Sequence, residues 1–238
     1  MLRPTMPTTT LLSKPPRTPL IGASILAADF AKMGREARSA LDCGADFLHF
    51  DVMDGHFVPN LTMGPDMCRS LHRELPDALI DVHLMVTDPG LFAEPFAAAG
   101  AGHLTFHIEA VEDPAALVAT IHELDMTAGI AINPPTDVSR IMGVLDAVDM
   151  VLVMSINPGF AGQTFMPEVL DTVRTVSAAL GRDQRLAIDG GVNRATAPAC
   201  LAAGCDVLLA ATAIYGSDDY AEAVTALRGG ARIVSPSQ

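Results

Sequence analysis

Cationic side chains are scarce in this 238-residue chain, where 15 Lys and Arg stand against 28 Asp and Glu for a formal net charge of −13. A surface that grips nucleic acid or anionic lipid needs clustered Lys and Arg, so the balance argues against both partners. An anionic small molecule would have to be met by a local site. Long apolar runs are missing as well: none approaches the roughly 20 residues a membrane-spanning helix needs, although half of the residues are apolar. The four cysteines, Cys43, Cys68, Cys200 and Cys205, lack CxxC or other zinc-motif spacing. Nothing marks a secreted disulfide framework, so they are expected as reduced thiols in a cytoplasmic protein. Acidic residues are absent from the first 19 positions, which are rich in Thr and Pro and carry Arg3, Lys14 and Arg17. This composition predicts a disordered or extended tail over 1–19. Its prolines oppose the amphipathic helix of a transit peptide.

From Leu20 onward, apolar strand-like runs alternate with longer Ala-rich helical stretches, the pattern of a parallel sheet built from βα units. Eight strand candidates run Leu20 to Leu26, Asp46 to Val52, Leu79 to Met85, His103 to Ile108, Thr127 to Ile132, Met150 to Met154, Arg185 to Asp189 and Asp206 to Ala210. Helical segments such as Phe30 to Cys43, Pro89 to Ala99, Pro114 to Leu124 and Glu168 to Leu180 lie between them. Eight such units predict a single α/β domain over 20–230, a (β/α)8 TIM barrel with an irregular N-terminal tail. A doubly wound open sheet is the alternative. Against it, no Gly-x-Gly-x-x-Gly turn follows the first strand, where a dinucleotide fold carries one.

In a TIM barrel the active face is the rim at the C-terminal strand ends. Polar residues there are Ser24, His49, Asp51, His83, Glu109, Asn133, Asn157 and Asp189. His49 and Asp51 sit two apart in an apolar strand and so share one face, as do Asp81, His83 and Met85. A carboxylate pointing into a barrel is costly unless a metal or a charge partner compensates it. His49, Asp51, His83 and Asp189 can converge from three strands, and two imidazoles with two carboxylates suit one divalent metal ion, Zn²⁺, Fe²⁺, Mn²⁺ or Co²⁺. His56, His72, His103, His107 and His122 are expected to be structural. Met53, Met85 and Met154 can line the site or pack in the core.

A second group of segments suits phosphate. Ser155 to Phe165 is a Gly-bearing loop after strand six, Gly190 and Gly191 follow strand seven, and Ala210 to Tyr215 opens a short helix after strand eight. Lys and Arg are absent from the strand-six loop and from 210–216, so backbone N–H groups are expected to hold the anion.

Ser24-Ile25-Leu26-Ala27-Ala28-Asp29-Phe30, His49 through Asn60, His83-Leu84-Met85, Asn157 through Phe165 and Asp189-Gly190-Gly191-Val192 together resemble the ribulose-phosphate 3-epimerase family, from Leu20 to about Tyr220. The resemblance implies metal ligation by His49, Asp51, His83 and Asp189, and an acid/base pair of Asp51 and Asp189. It also implies substrate contacts from Ser24 and His83, and phosphate binding by Gly159, Phe160, Ala161, Gly162, Gly190, Gly191, Ala211 and Thr212. One position departs: the family usually shows Gly-Ser where this chain has Ala211-Thr212. Ala211 is expected to keep a negative φ there. The chemistry asks for the same residues, because epimerising a carbon beside a ketone removes its proton on one face and returns one on the other through a planar enediolate. Asp51 is assigned as base and Asp189 as acid for D-ribulose 5-phosphate to D-xylulose 5-phosphate. The expected partners are this sugar phosphate and further copies of the chain, as a homo-oligomer, with neither nucleic acid nor membrane. D-allulose-6-phosphate 3-epimerase and a non-catalytic sugar-phosphate-binding barrel are the alternatives.

Overall fold

The computed structural model describes Leu12 and residues 19–229. Eight parallel strands close into a barrel in sequence order: β1 (Leu20–Ser24), β2 (Phe47–Met53), β3 (Ile80–Met85), β4 (His103–His107), β5 (Thr127–Ile132), β6 (Met150–Met154), β7 (Arg185–Asp189) and β8 (Val207–Ala210). β1 pairs with β8 to complete the ring. Helices α1 (Met33–Asp42), α2 (Pro65–Glu74), α3 (Ala93–Ala98), α4 (Pro114–Glu123), α5 (Ser139–Met142), α6 (Leu170–Ala179), α7 (Ala197–Ala203) and α8 (Thr212–Tyr215) follow the strands in turn, with α9 (Tyr220–Leu227) last. This is the expected (β/α)8 barrel. None of the described helices is long and apolar enough to cross a membrane.

The strands read as near-continuous apolar runs because both of their faces are buried, one against helices and one inside the barrel. Alternate residues such as Leu48, Phe50 and Val52 join the main core between strands and helices, whereas Phe47 belongs to the interior cluster with Leu20, Met150, Leu152, Val207 and Leu209. Space inside is tight. A Cβ on Gly22 would lie 2.5 Å from Leu209 Cδ2, so glycine lets β1 approach that side chain. The β2–β4 side of the interior is polar instead, with His49, Asp51, Asp81, His83, His103, Thr105 and His107 all buried. Polar residues at these depths must bond one another, and their arrangement sets up the site.

Several helices start where a carboxylate can cap them. Asp113 accepts from Ala116 N before Pro114 opens α4, and Asp219 accepts from Glu222 N at the start of α9. Strand and helix ends differ from the sequence expectation by small amounts. β1 stops at Ser24 because Ile25–Ala27 turns into a 3-10 helix, and short 3-10 turns at Phe30–Lys32 and Pro89–Phe92 precede α1 and α3. The tail expected over 1–19 lies outside the described residues except at Leu12 and Pro19. Leu12 is buried in the interior cluster, and its carbonyl accepts from Arg185 Nε at 2.8 Å. Arg185 also reaches Asp206 Oδ2 at 2.5 Å.

Candidate active site and metal centre

Strand register brings the site together before any side chain is considered. Asp51 lies opposite His83 across the β2–β3 pair, His49 opposite Asp81, and Ser24 opposite His49 across β1–β2. Asp189 arrives at the end of β7, half-buried. One donor atom from each of His49, Asp51, His83 and Asp189 falls within 4.8 Å of the others, so the four residues expected to converge do so.

Their bonding is directional. Ser24 Oγ donates to Asp51 Oδ2 at 2.7 Å, and His83 Nδ1 faces Asp51 Oδ1 at 3.1 Å. His49 Nδ1 meets Asp81 Oδ2 at 2.7 Å. His49 Nε2, on the opposite edge of the ring, has no hydrogen-bond partner although it is fully buried. It points between two carboxylates, 3.3 Å from Asp51 Oδ1 and 3.9 Å from Asp189 Oδ2. An unpartnered buried nitrogen among two carboxylates and a second imidazole fits a divalent cation, which would take all four donors. The set can therefore hold a metal ion.

Electrostatics separate the two carboxyls in the metal-free protein. Burial raises Asp189, the charge of Asp51 raises it further, and its pKa reaches about 7. Burial would also raise Asp51, but His49 and His83 outweigh it and hold Asp51 well below the ordinary carboxylate range. Two carboxyls in one cavity with opposed proton affinities are suited to opposite acid/base roles. His49 behaves in kind: burial disfavours its charge, yet Asp51 and Asp81 raise its pKa well above the usual imidazole value.

One cavity gathers most of the expected contacts. Ser24, Asp51 and Asp189 line it, with Gly159, Phe160, Ala161, Gly162, Gly190, Gly191, Ala211 and Thr212. His49 and His83 are fully buried. Met53, Met85 and Met154 supply apolar wall. Among the described residues, no Lys or Arg lines it. The loop between β6 and α6 is tied to the loop after β2, where Asn60 Nδ2 donates to Gly159 O at 2.7 Å, and is braced internally by Gln163 Nε2 donating to Asn157 O at 2.8 Å. Gly190 and Gly191 have φ of 112° and 62°, and a Cβ on Gly191 would lie 2.7 Å from Phe165 N. Both positions need glycine. Ala211 has φ −103° as the cap before α8, the negative φ expected for it.

Two residues escaped the sequence analysis. Asp81 was grouped with its strand mate His83, but strand register hands it to His49. His107, expected to be structural, places Nε2 2.9 Å from His83 Nε2. Its Nδ1 is 3.2 Å from Glu109 Oε2. The available signal was its position at the end of β4, two residues before the rim residue Glu109. His103 is structural as expected, bonded to Thr127 Oγ1 at 2.7 Å and Thr105 Oγ1 at 3.0 Å.

Residues 20–215 match the model of the ribulose-phosphate 3 epimerase family. The chain is 45% identical over 212 residues to the ribulose-phosphate 3-epimerase of Escherichia coli K12, covering 88% of this chain and 94% of that one. It is 46% identical over 213 residues to the enzyme of the same name from Mycobacterium tuberculosis H37Rv, covering 88% and 92%. Among solved structures, 3-keto-L-gulonate-6-phosphate decarboxylase from Vibrio cholerae O1 aligns with TM-score 0.68 at 17% identity, over 90% of this chain and 97% of that one. The 3-hexulose-6-phosphate synthase of Salmonella typhimurium aligns with TM-score 0.67 at 15% identity, over 89% and 97%. At these identities the structural likenesses speak for the barrel alone.

Proposed function

The chain belongs to the ribulose-phosphate 3-epimerase family, and we propose on that premise that it interconverts D-ribulose 5-phosphate and D-xylulose 5-phosphate at C3. The observation that carries the reading is the pair Asp51 and Asp189, two carboxyls brought from β2 and β7 into one cavity.

Asp51, held ionised, takes the C3 proton from one face of the sugar. Asp189, at the end of β7 in the same cavity, returns one to the other face. The roles exchange when the reaction runs backward. Ser24 steadies Asp51 by donating to its second oxygen. His49, Asp51, His83 and Asp189 would hold one divalent ion, Zn²⁺, Fe²⁺, Mn²⁺ or Co²⁺, which when bound supplies positive charge to offset the negative charge developing on the substrate oxygens. Met53, Met85 and Met154 exclude water from the reacting carbon. The phosphate is met by backbone amides of residues 159–162, 190–191 and 211–212, in agreement with a cavity that no Lys or Arg among the described residues lines.

We further expect a cytoplasmic homo-oligomer. The four free thiols support the first expectation, and the exposed Leu61 and Leu91 support the second. The test of substrate is product analysis on D-ribulose 5-phosphate and D-allulose 6-phosphate side by side. Faster conversion of the pentulose phosphate is expected, and preference for the hexulose phosphate would overturn the substrate reading.

A further inference from the structure

His107 and Glu109 belong to no part of the chemistry described above, yet they extend it in an unbroken line. His107 Nε2 lies 2.9 Å from His83 Nε2, and the two rings, with centroids 5.0 Å apart and planes only 24° apart, meet edge to edge as an N–H···N bond requires. On the far side, His107 Nδ1 lies 3.2 Å from Glu109 Oε2. Glu109 is itself anchored, since its other oxygen accepts from Asn133 N at 2.9 Å. The Phe57 ring packs on His107 with centroids 4.8 Å apart, and both histidines are fully buried.

We propose that His107 and Glu109 are positioning residues that set the proton on His83, so that its Nδ1 is bare toward Asp51 and free to ligate the cation. The inference rests on the metal-site reading above and deepens it. Proton placement follows link by link. Both oxygens of an ionised Glu109 can only accept, so His107 must carry its proton on Nδ1. A neutral His107 is then bare at Nε2 and can only accept there. His83 then donates from Nε2, and on cation binding a neutral His83 gives up the proton that its Nδ1 can otherwise share with Asp51 Oδ1 at 3.1 Å. Without the acceptor at His107, His83 is free to place its proton on Nδ1 against Asp51 Oδ1, 3.1 Å away, and so block the ligating atom. Partners of ligand histidines commonly matter at this scale, 10- to 100-fold in metal affinity.

The test compares Zn²⁺ affinity, by competition with a chelator, in the full-length protein, His107→Phe and His107→Gln. Phenylalanine keeps a ring against Phe57 and offers no acceptor, so affinity is expected to fall by about tenfold or more. Glutamine can turn a carbonyl oxygen to His83 and is expected to recover most of the loss. Nitrogen-15 NMR of the unmodified zinc-loaded protein reads the protons directly, and is expected to show His107 protonated on Nδ1 and His83 on Nε2. Equal affinity in His107→Phe, no recovery in His107→Gln, or a proton on His107 Nε2 would each overturn the relay alone. Failure of the unmodified protein to bind Zn²⁺ would instead overturn the metal-site reading, and the relay with it.

Discussion

His49 Nδ1 donates to Asp81 Oδ2 across 2.7 Å, between two fully buried side chains set opposite each other on adjacent strands. A carboxylate can only accept, so Nδ1 stays protonated and Nε2 is the atom that gives up a proton when a cation arrives. Asp81 also carries negative charge beside the four candidate ligands. It is lowered from the ordinary aspartate value because, although burial raises it, His49 and its neighbours outweigh that effect.

Asp81→Ala removes this acceptor and leaves His49 Nδ1 without a partner. Zn²⁺ affinity is expected to fall about 10- to 100-fold, and metal-free stability by about 1–3 kcal/mol for the unpaired buried donor. Chelator competition and urea denaturation measure the two effects separately. An unchanged affinity would mean that Asp81 does not orient His49.

Asp51→Asn and Asp189→Asn each delete one of the two proton carriers and are expected to abolish net epimerisation. In either variant, exchange of the C3 proton on the remaining face can survive if metal still binds. Progress curves on D-ribulose 5-phosphate decide this, and normal turnover by one variant would remove that residue from its assigned role.

Metal binding is expected to tighten as pH rises. In the metal-free protein Asp189 titrates at about 7 and His49 well above the usual imidazole value. Both protons must leave before these atoms can ligate. Protonated forms dominate below pH 7 and compete with the cation, so apparent affinity falls there by about tenfold per pH unit for each proton displaced. Calorimetry in two buffers of different ionisation enthalpy should detect the released protons at pH 6. Equal affinity at pH 6 and pH 8 would contradict the ligand set.

The proposed phosphate site predicts opposite outcomes at two positions that line the cavity. Gly191→Ala would place a Cβ 2.7 Å from Phe165 N at a φ of 62°, so it is expected to raise KM for the sugar phosphate strongly. Ala211 already has φ −103°. Ala211→Gly should therefore change KM only modestly, whereas a bulkier Ala211→Val should raise it by crowding the cavity wall. Similar KM values across all three variants would place the phosphate elsewhere.

The barrel was legible in the sequence because each strand is buried on both faces and so stands out as a compact apolar run. β5, β6 and β7 match their expected ends residue for residue. The four candidate ligands were legible because charged residues at the ends of such runs have no packing explanation. His107 was not, because its partner His83 is 24 residues away in sequence and is brought to it only by the alignment of β3 with β4. A lone histidine at a strand end looks the same whether it fills space or orders a proton. The face of Asp81 was legible but its partner His49 was not, for a related reason: face follows from alternation within a strand, but partner follows from register between strands. Leu12 had no signal at all, since nothing in a Thr- and Pro-rich segment marks one leucine for burial in the barrel interior.

The central claim is that two different carboxyls serve the two faces of the substrate, and isotope transfer tests it most directly. D-Ribulose 5-phosphate carrying protium at C3 is converted in D₂O by metal-loaded protein, and the product is analysed at early times. Because Asp51 keeps the proton it removes while Asp189 delivers one already exchanged with solvent, the first xylulose 5-phosphate formed is expected to carry deuterium at C3. Product that retains the substrate's own protium at C3 would show a single group working both faces, and would contradict the account.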